Sequence, residues 1–237
     1  MSALCGARLL GHAQTSTPAA APAKPAGVAD HGTFVLKHEG KEVGSEKFVI
    51  QTVEGKIQAE GETELREGEG RHARLITTYS KLILDSALDP QVYAWSTKEP
   101  KKYNLFVDFT TPLAKCQLHQ PDGKDDIREF QLPKDVVILD NNVIHHYQLL
   151  VDRYNRTPGG KRLFKAFIPQ AAMPGELTVQ DAGTENLPPA GTTQPLRHLV
   201  VTTDNAQIDL WEDAAGHLER LYWSTQKLEA LRRPQAQ

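Results

Sequence analysis

The stretch KIQAEGETEL, residues 56–65, alternates strictly between polar and apolar or small side chains. Its even positions carry Lys, Gln and Glu. Its odd positions are apolar or small: Ile57, Ala59, Gly61, Thr63 and Leu65. A period of two predicts a β-strand with one wet face and one covered face. The middle of the covered face is small, so we expect another element to approach the sheet closely there.

The residues before this strand predict its hairpin partner. Glu54-Gly55 fits a two-residue turn. That turn places Phe48 opposite Gly61 and Ile50 opposite Ala59, so the even positions of the partner strand face inward.

A first hairpin is predicted across Glu39-Gly40, between residues 32–38 and 41–53. Its turn pairs Leu36 with Val43 and Phe34 with Ser45, which lie on odd positions. The next hairpin needs even positions inward, so one residue must be inserted as a β-bulge. We place this bulge at Gly44.

The rest of the chain predicts further strands, separated by turns that contain Pro, Gly or Asp. These strands cover residues 71–84, 91–97, 101–109, 112–119, 126–132, 161–168, 175–180, 206–212 and 217–228. Residues 185–194 are predicted to form a Pro-rich loop.

One helix interrupts the strands. Val143, Tyr147, Leu150 and Tyr154 recur at helical spacing, and the preceding Asp140-Asn141-Asn142 offers side-chain oxygens for the N-cap. The pattern predicts a helix over residues 142–154.

These elements predict a mainly β fold: a single antiparallel, strongly curved sheet or incomplete barrel, with the amphipathic helix packed on its concave side. Small sheet residues leave a volume that the helix side chains need not fill, and an apolar volume of this kind is typical of a ligand pocket. The predicted ligand-binding residues are Ala59, Gly61, Thr63, Val143, Tyr147 and Leu150.

The chain divides by composition. Residues 1–13 resemble the remnant of an export leader, and residues 14–29 form a Thr-, Pro- and Ala-rich linker that cannot bury enough apolar surface to fold. Residues 30–232 are predicted to be one β-rich domain and residues 233–237 a tail. This organisation favours an exported protein, periplasmic or associated with the cell surface.

Several classes of function find no support in the sequence. The net charge of −3 and the dispersed Lys and Arg residues argue against nucleic acid as a partner. No window is apolar enough for a transmembrane segment. HExxH, CxxC and GxSxG motifs are absent, so we predict no catalytic residue, no metal ligand and no cofactor. Cys116 alternates with Ala114 and Leu118 and is predicted to be a small buried residue.

Two segments carry a family resemblance: LDNNVIHHYQLLVDRY (139–154) and IDLWEDAAGHLERLYW (208–223). In these the chain resembles uncharacterised bacterial exported β-rich envelope proteins with a domain of unknown function. It is more distantly similar to the half-barrel carriers of lipoprotein localisation, which hold acyl chains between a curved sheet and helices. The resemblance implies a curved sheet and an envelope location.

Three functions remain open. The first is a non-catalytic envelope protein that binds a lipid or other amphiphile between sheet and helix. The second is a structural or protein-interaction module with a filled core and an envelope protein as its partner. The third is a β-barrel enzyme with dispersed active-site groups, for which the candidates are Asp140, His145, His146 and Asp152. An enzyme should bring at least two titratable groups within hydrogen-bond reach in a cleft.

Overall fold

Fifteen strands and one α-helix make up the described part of the chain. A computed structural model describes residues 30–68, 73–98, 101–157, 159–187 and 194–234. The predicted leader and linker, and the last three residues of the predicted tail, lie outside these ranges. The helix is α1 (His145–Asn155). The strands are β1 (Asp30–His38), β2 (Lys41–Val53), β3 (Lys56–Glu67), β4 (Arg74–Leu84), β5 (Pro90–Thr97), β6 (Asn104–Asp108), β7 (Ala114–His119), β8 (Asp125–Phe130), β9 (Val137–Ile138), β10 (Arg162–Ile168), β11 (Met173–Leu187), β12 (Gln194–Thr202), β13 (Gln207–Glu212), β14 (Leu218–Trp223) and β15 (Leu228–Arg232).

All the described strands belong to one sheet, in the order β8-β7-β6-β5-β4-β3-β2-β1-β15-β14-β13-β12-β11-β10-β9. Neighbours are antiparallel except β9 and β10, which are parallel. The pairing of β1 with β15 joins the two halves of the chain. The prediction of a single strand over residues 217–228 was wrong, because a 3-10 turn at Ser224–Gln226 and a left-handed Lys227 separate β14 from β15.

The sheet curls around α1. The helix contacts both β3 and β14, and three other strands lie between these two in the sheet. The predicted fold class, a mainly β curved sheet with the helix on its concave side, is confirmed. Among the described residues, no helix has the length and apolar content that crossing a bilayer requires.

The two ends of the sheet overlap through side chains. On the outer face of β10, Leu163 is 60% exposed but Phe167 is fully buried. The Phe167 ring lies 4.9 Å from that of Phe130 in β8 and 6.4 Å from that of Phe109, between ring centroids. The inner face of the β6–β8 end therefore covers the outer face of β10. No strand pairing joins β8 to β9 or β10 among the described strands, so the barrel is incomplete.

The predicted register of β2 and β3 is confirmed, and that of β1 and β2 is partly wrong. Phe48 pairs with Gly61, as predicted. A bulge does occur near Gly44, but the inserted residue is Val43, so Leu36 faces Gly44 and Phe34 faces Glu46. This pairing requires glycine at position 44, because a Cβ there would collide with the backbone carbonyl of Glu64 in the adjacent β3. Glu46 points toward the helix, in the same inward series of β2 as Phe48 and Ile50.

Replacing Phe167 by Ala should destabilise the protein by about 3–5 kcal/mol, because the ring that joins the two ends of the sheet is lost. Leu163→Ala is the matched control, since Leu163 lies on the same face of β10 and is exposed. We expect it to change the free energy of unfolding by less than about 0.5 kcal/mol in urea titrations. Equal losses for the two variants would contradict the overlap.

Candidate functional site

The six residues predicted to bind a ligand are all buried, and the space above Gly61 is occupied. A Cβ placed on Gly61 would lie 2.6 Å from Cε1 of His145. Thr63 donates a hydrogen bond to the carbonyl of Asn142, at 3.3 Å, so sheet and helix entry are in direct contact. Val143 precedes α1 and does not belong to it. The small side chains of β3 accommodate the His145 imidazole. Ligand binding by these six residues stays a prediction.

Glu46 supplies the acceptor for the start of α1. Its carboxylate accepts hydrogen bonds from the backbone N–H of Ile144, at 2.8 Å, and of His145, at 2.7 Å. Thr63 Oγ1 donates to the same carboxylate at 3.1 Å, and His145 Nδ1 lies 3.1 Å from it. The Glu46 side chain is fully buried. The first backbone N–H groups of a helix have no intrahelical acceptor and favour negative charge.

α1 begins at His145, three residues later than predicted, because Glu46 binds the backbone N–H groups of Ile144 and His145. Ile144 is its N-cap residue and makes no side-chain capping bond, and Asn142 adopts a left-handed conformation with φ of 59°. The predicted capping by Asp140-Asn141-Asn142 was wrong. A carboxylate from β2 performs the role that the local sequence was expected to perform.

His145 and His146 pack as aromatic side chains in the core. His145 stacks on Phe48, with ring centroids 6.1 Å apart, and the His146 ring meets Tyr93 edge-on at 5.5 Å. Burial, with a smaller effect of His145, lowers the pKa of His146 well below its usual value, so this imidazole is neutral. The Nε2 atoms of both histidines are buried, with no hydrogen-bond partner in the described residues.

Asp140 contacts β5 and the turn between β10 and β11 through its buried carboxylate, and α1 through its backbone N–H. Oδ2 accepts a hydrogen bond from the Tyr93 hydroxyl at 2.6 Å, and Oδ1 accepts from the backbone N–H of Gln170 at 3.0 Å. The backbone N–H of Asp140 donates to Nδ1 of His146 at 3.3 Å. Burial raises the pKa of Asp140, although its hydrogen bonds act in the opposite direction.

These polar contacts do not form an accessible catalytic cleft. Glu46 and His145 are within hydrogen-bond reach of each other, but both side chains are fully buried. Asp140 is 5% exposed, and Asp152 accepts a hydrogen bond from Gln148 at 2.9 Å. Within the described ranges, no group of three or more His, Cys, Asp or Glu side chains is arranged to hold a metal ion.

A cleft opens where the two ends of the sheet overlap. This overlap cleft has a volume of about 80 Å³ and lies between the inner face of β6–β8 and the hairpin tip that joins β10 to β11, residues Pro169, Gln170, Ala171 and Ala172. Its sheet side is lined by Leu105, Cys116, Leu118, Asp126 and Arg128. Sequence analysis missed it, because it arises from contact between strands that are distant in the sheet.

The overlap cleft is lined by both apolar and charged side chains. Cys116 is buried as predicted, and burial raises the pKa of its thiol to about 11. At the rim Arg128 forms an ion pair of 2.7 Å with Asp126, and both side chains are substantially exposed. Trp95 lies directly across from Leu105 in the β5–β6 pairing, and its buried Nε1 has no acceptor in the described residues.

The rest of α1 is also held by polar contacts. Gln148, in its second turn, donates to the carbonyl of Gly216 and accepts from the backbone N–H of Leu218. Asn155, its last residue, donates to Glu212, which also pairs with Arg197 at 2.9 Å. The helix is therefore fixed at its start by Glu46, in its second turn by Gln148 and at its C-terminal end by Asn155.

Replacing Gly61 by Ala should destabilise the protein by about 1–3 kcal/mol, because the new Cβ collides with the His145 ring. That ring is held by Glu46 and cannot move away. Gly175→Ala in β11 is the matched control, since nothing lies within 4 Å of its added Cβ. Urea unfolding of the two variants should separate them, and an unchanged stability of Gly61→Ala would show that the ring does not occupy this position.

Replacing Glu46 by Ala should destabilise the protein by about 2 kcal/mol or more, because the backbone N–H groups of Ile144 and His145 lose their acceptor at about 1–3 kcal/mol each, whereas the Thr63 hydroxyl can still donate to the Asn142 carbonyl. Glu64→Ala, an exposed position of the neighbouring β3, should change stability by less than about 0.5 kcal/mol. Chemical denaturation measures both. A loss for Glu46→Ala no larger than that of the control would contradict the capping role.

Comparisons with known proteins agree with the fold. No family model and no curated protein matches the chain. It is similar to the crystal structure of a beta-barrel-like protein of domain of unknown function DUF1849 from Brucella abortus, with a TM-score of 0.57, 9% identity, and coverage of 86% of this chain and 94% of that chain. A DUF1089 family protein from Pseudomonas aeruginosa matches with a TM-score of 0.46, 13% identity, and coverage of 75% and 88%. The predicted likeness to β-rich proteins of unknown function is confirmed for the fold, whereas bacterial origin and export stay predictions.

Proposed function

We propose that the chain is a non-catalytic, exported protein that binds an amphiphile, with the apolar end of the ligand in the overlap cleft. The observation that supports this is the chemistry of the cleft, where Leu105 and Leu118 are apolar and Arg128 stands at the rim. An acyl chain suits the two leucines, and a carboxylate or phosphate headgroup would replace Asp126 as the partner of the Arg128 guanidinium. The proposal moves the ligand away from Gly61, where His145 occupies the space.

The size of the cleft limits what enters it. Its volume of about 80 Å³ is well below the roughly 300–1,000 Å³ of pockets that enclose a whole drug-sized ligand. In this state the cleft admits only the end of an acyl chain, and the remainder would lie along the half-buried Leu118 and Trp95.

Single-tryptophan variants test this proposal. The chain has three tryptophans. A Trp211→Phe/Trp223→Phe variant keeps Trp95 beside the cleft. A matched Trp95→Phe/Trp223→Phe variant keeps Trp211, whose indole is bonded to Glu185 on the outer face. With palmitate or lysophosphatidylcholine, we expect a saturable change in the emission of the Trp95 variant and none in the Trp211 variant.

The alternative function is a structural or protein-interaction module with a filled core. The specific observation that favours it is the occupied space at Gly61, together with the two fixed ends of α1. Native mass spectrometry and lipid extraction of protein purified from its own host distinguish the two functions. Co-purification of a fatty acid or phospholipid supports the amphiphile proposal. A ligand-free protein with no saturable change at Trp95 assigns the chain to the alternative.

Export is the second part of the proposal, and the composition of residues 1–29 supports it. We expect the mature protein in a periplasmic or surface fraction, without residues 1–13. N-terminal sequencing of the protein from its own host checks this. A protein that begins at Met1 in a cytoplasmic fraction would refute export and leave the binding proposal unaffected.

A further inference from the structure

We propose that Asp140 is the positioning residue that sets the width of the overlap cleft, because its two carboxylate oxygens hold the opposite walls together. This inference deepens the proposed function and rests on it only for the identity of the ligand. One wall is the inner face of β6–β8, which is paired with β5, and the other is the hairpin tip at residues 169–172.

The bond to the sheet wall is made by Oδ2 of Asp140, which accepts from the Tyr93 hydroxyl at 2.6 Å. Tyr93 is fully buried and pairs with Val107 across β5 and β6, and Val107 pairs in turn with Cys116. The Tyr93 hydroxyl is therefore attached to the same patch of sheet whose Cys116 lines the cleft.

The bond to the hairpin tip is made by Oδ1, which accepts from the backbone N–H of Gln170 at 3.0 Å. Two further contacts hold the tip. Gln170 Nε2 donates to the Asn141 carbonyl at an exposed position, and Cys116 Sγ lies 4.0 Å from the Pro169 carbonyl. The exposed bond competes with water and the thiol is a weak donor, so the buried carboxylate is the strongest of these links.

Burial makes the Asp140 link hard to replace. The residue is 5% exposed, so water has little access to the donors that the carboxylate satisfies. Charge-assisted hydrogen bonds of this kind are stronger than neutral ones. Without the carboxylate, the hairpin tip keeps its own 3-10 turn, closed by the Ala172 N–H and the Pro169 carbonyl, but loses its attachment to β5. The tip can then move away from the sheet and deepen the cleft.

Cys116 provides a direct readout of this movement. Its side chain lies at the cleft, is 4% exposed, and faces the Pro169 carbonyl of the tip. In a Cys5→Ser background of the full chain, a thiol reagent such as DTNB reports only on Cys116. Asp140→Ala should accelerate this labelling by about tenfold or more, as expected from the loss of hydrogen bonds to a charged group.

Gln148→Ala is the matched control. Gln148 is also fully buried and makes hydrogen bonds to Leu218 and Gly216, away from the cleft. Labelling through local opening of the tip depends weakly on urea, whereas labelling through global unfolding follows the full urea dependence of stability. We expect a weak urea dependence for Asp140→Ala and the full dependence for Gln148→Ala. Equal labelling rates for the two variants, or the full urea dependence for both, would overturn the inference.

Two milder variants keep the test decisive if Asp140→Ala does not fold. Asp140→Asn retains one carbonyl oxygen, and Tyr93→Phe removes only the bond to the sheet wall. Both should label faster than the parent and more slowly than Asp140→Ala. Parent-like labelling of both variants would overturn the role of Asp140.

A ligand titration separates this inference from the proposed function. If the parent binds fatty acids, Asp140→Ala should raise the affinity for sixteen-carbon chains relative to eight-carbon chains, because the cleft is deeper. An unchanged preference would overturn the inference. If no variant binds any fatty acid, the proposed function fails, and the Cys116 labelling rates still decide whether Asp140 sets the width of the cleft.

Discussion

The contact between the Glu46 carboxylate and the first turn of α1 is the constraint on which the rest of the structure depends. A helix that begins inside a curled sheet needs an acceptor for its first N–H groups, and water is excluded there. The nearest side chains in sequence do not provide one, since Ile144 is the N-cap. Glu46, 98 residues earlier in the chain, does. Glu46 faces inward because it belongs to the same alternating series of β2 as Phe48 and Ile50, and the bulge at Val43 lets β1 pair with this series. The carboxylate positions the start of the helix, and the helix brings His145 onto Gly61.

Alternation in the sequence was sufficient to predict the faces of the strands but not the distances between elements. The pairing of Phe48 with Gly61 follows from a turn and a period of two, and it is confirmed. Gly61 was predicted to leave room for a ligand, whereas the structure places the imidazole of His145 there. The sequence did contain a signal for the contact between Glu46 and the helix, because Glu46 lies in the same inward-facing series of β2 as Phe48. A carboxylate in an apolar series indicates a buried partner.

The overlap of the sheet ends could not be predicted from local patterns. Phe167 occupies an outward position of β10, where alternation indicates exposure, and it is buried only because β8 passes over it. The start of β15 was missed for a different reason, because neither Gly nor Pro marks the turn at Ser224–Gln226. The overlap cleft and the bridging role of Asp140 both arise from these contacts between distant segments. They carry the functional proposals because His145 occupies the space above Gly61.

Amide hydrogen exchange at Ile144 and His145 tests the central claim most directly. First-turn amides of a helix usually exchange readily, because they have no intrahelical acceptor. Here both amides donate to a fully buried carboxylate. We predict that they exchange only through global unfolding, with the same free energy as urea denaturation measures. Exchange of these two amides orders of magnitude faster than that of the central strands would contradict the account.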